Sequence, residues 1–355
     1  MKSNFRLCVL LAFVISFSIV SCNKNNDPVK GKYQSGVLVA NQGNFGSANG
    51  DVTFYNPTSG QAEQTIFKNV NGSFSGDVLQ SITLNGDVGY LVLNGSNKIK
   101  IVNSNTFTQT GIFTDPKLDK PQYLAVINGK AYISVWGAYD HNYNLIKSYL
   151  LVMNTQTLQA VDTISTDLGV GNLLYNGKYL FASNTNFGSS STVSVIDPST
   201  DKRIKQLTLS AGPAGMVLDA NSKLWVIATG TYGGNNGMLY RINPSLFAVE
   251  QTISLGANPG NSLCISPDKK TLYYAVGNKI FKIAFDGTAA PTSPFINAAD
   301  VVALNTLAVN PANGDIYVGD ALNYSSSGNA YIYDAAGNKK TSFAVGITPT
   351  QFVFQ

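Results

Sequence analysis

The stretch Gly86-Asp87-Val88-Gly89-Tyr90-Leu91-Val92-Leu93-Asn94 is a tight turn followed by a strand-forming run that ends on a polar residue, and the chain returns to it. Close relatives of the phrase stand at residues 128–135, 176–184, 222–228, 270–275 and 313–319. After several of them comes a second alternating run, such as Val193-Ser194-Val195-Ile196-Asp197-Pro198 or Leu239-Tyr240-Arg241-Ile242-Asn243-Pro244. Period-two alternation of β-branched and aromatic residues between Asn-Gly turns is the chemistry of strands and hairpins. No stretch beyond residue 30 reads at helical period.

Ahead of each phrase lies another strand, often opened by a Pro- or Gly-containing turn, as in Pro121-Gln122-Tyr123-Leu124 and Pro213-Ala214-Gly215-Met216. The first inward apolar residues of these strands are Ile82, Leu124, Leu173, Met216, Leu263, Leu307 and Phe352. They recur every ~40–50 residues, the length of a four-stranded propeller blade. The expected fold is therefore all-β, a seven-bladed β-propeller. Residues 36–41 read as a second strand with no first strand before it, and residues 346–354 as a first strand with nothing after it. The C-terminal strand is thus expected to complete the N-terminal blade and close the ring without an open sheet edge.

The N-terminus reads as an export signal. Lys2 and Arg6 precede a largely apolar stretch at residues 9–20, too short to span a bilayer comfortably. Ile19-Val20-Ser21-Cys22 resembles a bacterial lipobox, whose cysteine is acylated and becomes the first mature residue; Val20 departs from the small residue preferred there. The organisation read from this is a signal peptide at 1–21, a polar tether at 22–35 and a propeller at 36–355. With Cys8 removed and Cys22 lipidated, Cys264 stands alone, so no internal disulfide is available. Its apolar neighbours Leu263 and Ile265 make it a small core side chain. Removing Lys2 and Arg6 from the 24 basic residues leaves 22 against 20 acidic ones, a mature net charge of +2. No basic run accompanies it, so nucleic acid is not expected as a partner. Charged residues make up only 12% of the chain, about half the average of roughly 25%.

Five of the loops that follow second strands offer an aromatic beside small or amide residues. They contain Asn44 and Phe45; Trp136, Tyr139, His141 and Tyr143; Asn186 and Phe187; Tyr232 and Asn235; and Asn323 and Tyr324. Aromatic rings give large contact area at small entropy cost, and amides give orientation. Phe45 and Phe187, which lack a polar handle, are equally suited to stapling their own loops, whereas the tyrosines and Trp136 suit an exposed rim. A second group precedes the inward apolar residues: Gln80, Gln122, Tyr123, Asn172, Asn261, Asn305 and Gln351. Seven-fold geometry should place these around the channel mouth, either satisfying backbone and channel water or touching a ligand.

The repeated strands resemble those of YncE-like, surface-layer (YVTN-type) seven-bladed propellers. Residues 39–50, Val39-Ala40-Asn41-Gln42-Gly43-Asn44-Phe45-Gly46-Ser47-Ala48-Asn49-Gly50, resemble the opening of Bacteroidetes lipoproteins that carry a domain of unknown function, a group that includes the BtuG cobalamin-binding surface propellers. That resemblance implies an outer-membrane, cell-surface lipoprotein that binds a corrinoid and passes it to a transporter. An interaction scaffold for an envelope protein or glycan is the alternative.

The chemistry for catalysis is sparse. His141 is the one histidine, so no His-rich metal site or second His-based triad exists, and no calcium-binding carboxylate spacing or phosphate loop is present. The sequence reads as a binder with no cofactor and no catalytic residue; a hydrolase or lyase built on His141 is the third possibility.

Overall fold

The computed structural model describes residues 31–355, which form one compact unit from Gly31 to Gln355. Seven four-stranded antiparallel sheets stand as blades around a central axis. Blade one consists of Pro349–Phe354, Val37–Asn41, Asp51–Asn56 and Gln61–Glu63, running outward from the axis. The inner strands of blades two to seven are Leu79–Asn85, Pro121–Ile127, Val170–Tyr175, Pro213–Leu218, Leu263–Ile265 and Leu304–Val309. Each inner strand packs on the next, and the last packs on the first. All seven inward apolar residues expected from the sequence lie on these strands.

Closure works as the ends suggested. Phe352 pairs with Val39 and Val353 with Leu38, so the C-terminal strand supplies the inner edge of the N-terminal blade. The second strands are the most buried: Val37–Asn41, Leu180–Asn184, Leu224–Ala228 and Ile316–Asp320 are buried throughout. Continuous apolar runs there are pressed between neighbouring blades, and successive core clusters each draw residues from two of them.

Two details depart from the sequence reading. The packed unit starts before residue 36: Tyr33 is 2% exposed, and its ring meets Phe54 and Phe107 edge-on. Its amide N–H donates to the Asn105 carbonyl, so residues 31–35 are part of the fold and not of a tether. A helix, Ile66–Asn71, links blades one and two, burying Ile66 and Phe67. At six residues it is too short to show a period, which is why it went unread. A single 3₁₀ turn also spans Asn186–Gly188. The expected signal peptide, most of the tether and Cys22 lie outside the described residues.

One irregularity recurs where it matters. At the start of their inner strands, blades one to five and seven all slip register against the second strand. In blade two the extra residue is Gln80, in blade three it falls at Gln122-Tyr123, in blade four at Gly171-Asn172, and in blade seven at Asn305. Such bulges break the strict alternation and re-aim a side chain that would otherwise enter the blade-to-blade core. Here they turn amides toward the axis.

Candidate functional site: the mouth of the channel

The bulges and the loops after the second strands meet at the same end of each blade. There they enclose a cavity of about 360 Å³, displaced from the axis toward blades three, four and five. Trp136, Phe187 and Tyr232 supply its aromatic lining. Gln80, Gln122, Tyr123, Asn172 and Asn261 line it as well. Beneath lies a second chamber of about 350 Å³, to which Gln80, Tyr123, Asn172 and Asn261 also belong, together with Asn305 and Gln351. Every channel residue expected from the sequence therefore lines one chamber or both.

The wall is unusual in its unpartnered donor. Trp136 packs edge-on against Phe187, ring centroids 5.0 Å apart, and its indole N–H is buried with no hydrogen-bond partner. The contrast with Trp225 is direct: that ring is fully buried, and its N–H donates to Asp219 Oδ2 at 2.8 Å. A buried donor with no acceptor costs about 1–3 kcal/mol, a local cost that the Trp225 indole avoids. Tyr232 is 99% exposed. Both phenylalanines that could have been staples are displayed instead, Phe45 at 85% and Phe187 at 67% exposure.

The loops hold these rings out at some conformational cost. Phe187, Tyr143 and Tyr324 sit in the left-handed backbone region, where a bulky side chain is disfavoured. Phe45 and Tyr232 instead precede glycines, Gly46 and Gly233, that take that conformation without a Cβ.

Some amides are already committed. Gln351 Oε1 accepts the Ile82 amide N–H at 2.7 Å, Asn305 Nδ2 donates to the Pro349 carbonyl at 2.8 Å, and Gln122 Nε2 donates to the Lys120 carbonyl at 3.2 Å. Gln42 Nε2 donates to Gln80 Oε1 at 3.2 Å. Among the described residues the side-chain amides of Asn172 and Asn261 make no hydrogen bond to protein. Burial raises the Tyr123 phenol above its ordinary value, and a hydrogen bond to Gln80 pulls the other way. No Lys, Arg, Asp, Glu or His lines either chamber.

The remaining rim residues stand apart from the cavity. Asn44, Phe45, Tyr139, His141, Tyr143, Asn186, Asn235, Asn323 and Tyr324 line neither chamber. Asn323 Oδ1 accepts the amide N–H groups of Ser325 and Ser326, so its role is to shape its loop. Tyr139 is half-buried under the Lys120 ammonium, 5.3 Å from its ring centroid. His141 is exposed, and its neighbour Asp140 is occupied with the amide N–H groups of Asn142 and Asn144. Those hydrogen bonds hold the Asp140 carboxyl below its usual range.

Sequence reasoning missed Gln42, Asn94, Thr185 and Thr229, all of which line a chamber. Each stands immediately after its second strand, as Trp136 does. That shared repeat position was the signal available. Cys264 behaves as a packed side chain: its thiol donates to the Leu307 carbonyl at 3.1 Å, and burial pushes it up to about 12.

Residues 35–355 match the model of the family described as Domain of unknown function (DUF5074). The chain belongs to that family. No curated protein matches it. Among solved structures, it is similar to a quinoprotein alcohol dehydrogenase-like protein from Bacteroides thetaiotaomicron, at TM-score 0.68 and 16% identity over 91% of this chain and 78% of that one. It is also similar to a proposed 6-phosphogluconolactonase from Bacteroides fragilis, at TM-score 0.64 and 13% identity over 90% of this chain and 98% of that one. The hydrazine synthase of Kuenenia stuttgartiensis aligns at TM-score 0.53 and 15% identity, over 72% of this chain and 76% of that one. At these identities the likeness concerns the propeller alone.

Proposed function

We propose that this DUF5074 propeller captures a small neutral ligand at the mouth of its channel and performs no chemistry on it. The observation that carries this reading is the charge-free cavity whose lining combines the rings of Trp136, Phe187 and Tyr232 with the amides of Gln80, Asn172 and Asn261. A few polar groups among aromatic side chains are the usual lining of a ligand pocket, and the volume falls within the usual range of about 300–1,000 Å³. Hydrolysis or proton transfer requires a nucleophile or base within reach. The chambers offer hydroxyls, such as those of Thr185, Thr229, Ser262 and Thr306, but no His, Lys, Asp or Glu lines them to activate one.

The specific ligand proposed is a corrinoid. Its broad, amide-edged face suits an aromatic wall beside neutral amides, and the ring is too wide to sink into the cavity, so it would lie across the mouth. The same proposal places the chain on the outer membrane by a lipid on Cys22, facing outward and passing ligand to a transporter. Labelling with a radioactive fatty acid, lost on Cys22→Ala, tests the anchor. Calorimetric titration with cyanocobalamin and with cobinamide tests the ligand: one-to-one binding weakened by Tyr232→Ala or Phe187→Ala supports it, and no heat at high protein concentration discards the corrinoid.

A second reading rests on Phe45, Tyr143 and Tyr324, displayed on loops beyond the cavity. As exposed aromatics they suit a protein or glycan partner of the envelope. Affinity capture in which one envelope partner disappears on Phe45→Ala with Tyr324→Ala would favour that role.

A further inference from the structure

We infer that the lower chamber, which adjoins the mouth through Gln80, Tyr123, Asn172 and Asn261, is a second subsite that takes a neutral polyhydroxylated ring, a hexose unit. The inference goes beyond the reading above, since it concerns the space under the mouth whatever lies across the mouth itself.

The chamber is uncharged but dense in hydrogen-bonding groups that the protein leaves open. Thr306 lines it, is 4% exposed, and its hydroxyl has no protein partner among the described residues. The amides of Asn172 and Asn261 are open in the same way and each supplies both a donor and an acceptor. Asn305 gives its Nδ2 to the Pro349 carbonyl, which leaves its Oδ1 to accept. Ser262 Oγ accepts the Leu307 amide N–H at 3.3 Å, which leaves its O–H to donate. Met216 and Phe352 add apolar surface among these groups.

Elimination follows from desolvation. An ion placed here would lose its hydration and meet no counter-charge, a cost far larger than that for a neutral polar group. An apolar occupant would strand the amides and hydroxyls, each at about 1–3 kcal/mol. What fits is compact, neutral and able both to donate and to accept around its rim, with C–H edges for the apolar surface. A pyranose ring has those properties. Water has the first part of them and is the competing occupant.

Saturation-transfer NMR on the mature propeller separates the two, with D-glucose, N-acetyl-D-glucosamine and D-glucuronate as probes. The expected result is transfer to at least one neutral sugar and none to glucuronate. Ser262→Ala combined with Thr306→Val, both lining the lower chamber and not the mouth, should weaken that binding by at least about tenfold. Should the double variant misfold, Thr306→Val alone, a substitution of the same shape, carries the same expectation. Absence of transfer to either neutral sugar, equal transfer to glucuronate, or binding that survives the substitutions in a folded variant would overturn the inference. Cyanocobalamin titration of the same variants reports on the mouth, so failure of one reading is distinguishable from failure of the other.

Discussion

Asp51 is a carboxyl placed against its own charge. It is 3% exposed, and it accepts the amide N–H groups of Val52, Phe67 and Lys68, thereby holding the start of the helix Ile66–Asn71. Burial outweighs those hydrogen bonds and the nearby Lys100 ammonium, and pushes the group from 3.8 up to about 6. A carboxyl with a raised folded-state pKa binds its proton more tightly when folded, so stability falls as pH rises from about 4 to about 6 and is level above. The full effect is about 3 kcal/mol. Denaturant unfolding across that window should show this slope, and Asp51→Asn should flatten it; an unchanged slope would remove Asp51 as its source. The two tryptophans give a paired prediction. Asp219→Ala strands the Trp225 indole N–H and loses the turn that Asp219 builds with the amides of Asn221 and Lys223, at about 2–4 kcal/mol. Trp136→Phe removes a donor that has no partner and should cost less than about 1 kcal/mol while weakening ligand binding. Thermal unfolding of both variants checks the ordering. At this scale the sequence showed which residues are polar and near the axis, but not which amides are already spent, since that depends on bonds such as Gln351 to Ile82, far apart along the chain.

Loops and bulges turn a stack of similar sheets into a site. The register slips that bring Gln80, Tyr123, Asn172 and Asn305 to the axis look, in sequence, like imperfect alternation, so the residues could be listed but the device that aims them could not. Loop aromatics were equally visible, yet exposure had to come from the structure: Phe187 and Tyr232 join the cavity, whereas Phe45 and Tyr324, in loops of similar composition, do not. Blade order decides this, because the cavity lies toward blades three to five. The loop glycines differ in what they protect. A Cβ on Gly237 would stand 2.3 Å from the Ala257 carbonyl oxygen, whereas one on Gly46 would meet open space and suffer only from its left-handed backbone. Gly46→Ala should therefore cost about 1 kcal/mol. Gly237→Ala should cost several times more, because backbone must move. Equal melting temperatures for the two variants would contradict this.

The whole molecule depends on one strand from each end of the chain. Without residues 349–355, the second strand Val37–Asn41 becomes an open, wholly buried-type edge, and the Ile82 amide loses its partner Gln351. Such an edge is a template for other chains. A chain ending at Thr348 should elute as oligomer or aggregate in size-exclusion chromatography, and a monomer with unchanged melting would refute the closure argument. Ring closure and blade count were legible in the sequence because repeat phase is a property of order along the chain. The offset position of the cavity was not, because it arises from three unequal loops meeting in space. The central proposal is that this charge-free mouth, lined by Trp136, Phe187 and Tyr232, captures a corrinoid, and calorimetric titration with cyanocobalamin of the propeller from Gly31 and of its Phe187→Ala, Tyr232→Ala variant tests it most directly. The predicted result is one-to-one binding that weakens by at least about tenfold in the variant, with no change in melting temperature. Equal affinity in both proteins, or no heat from either, would contradict it.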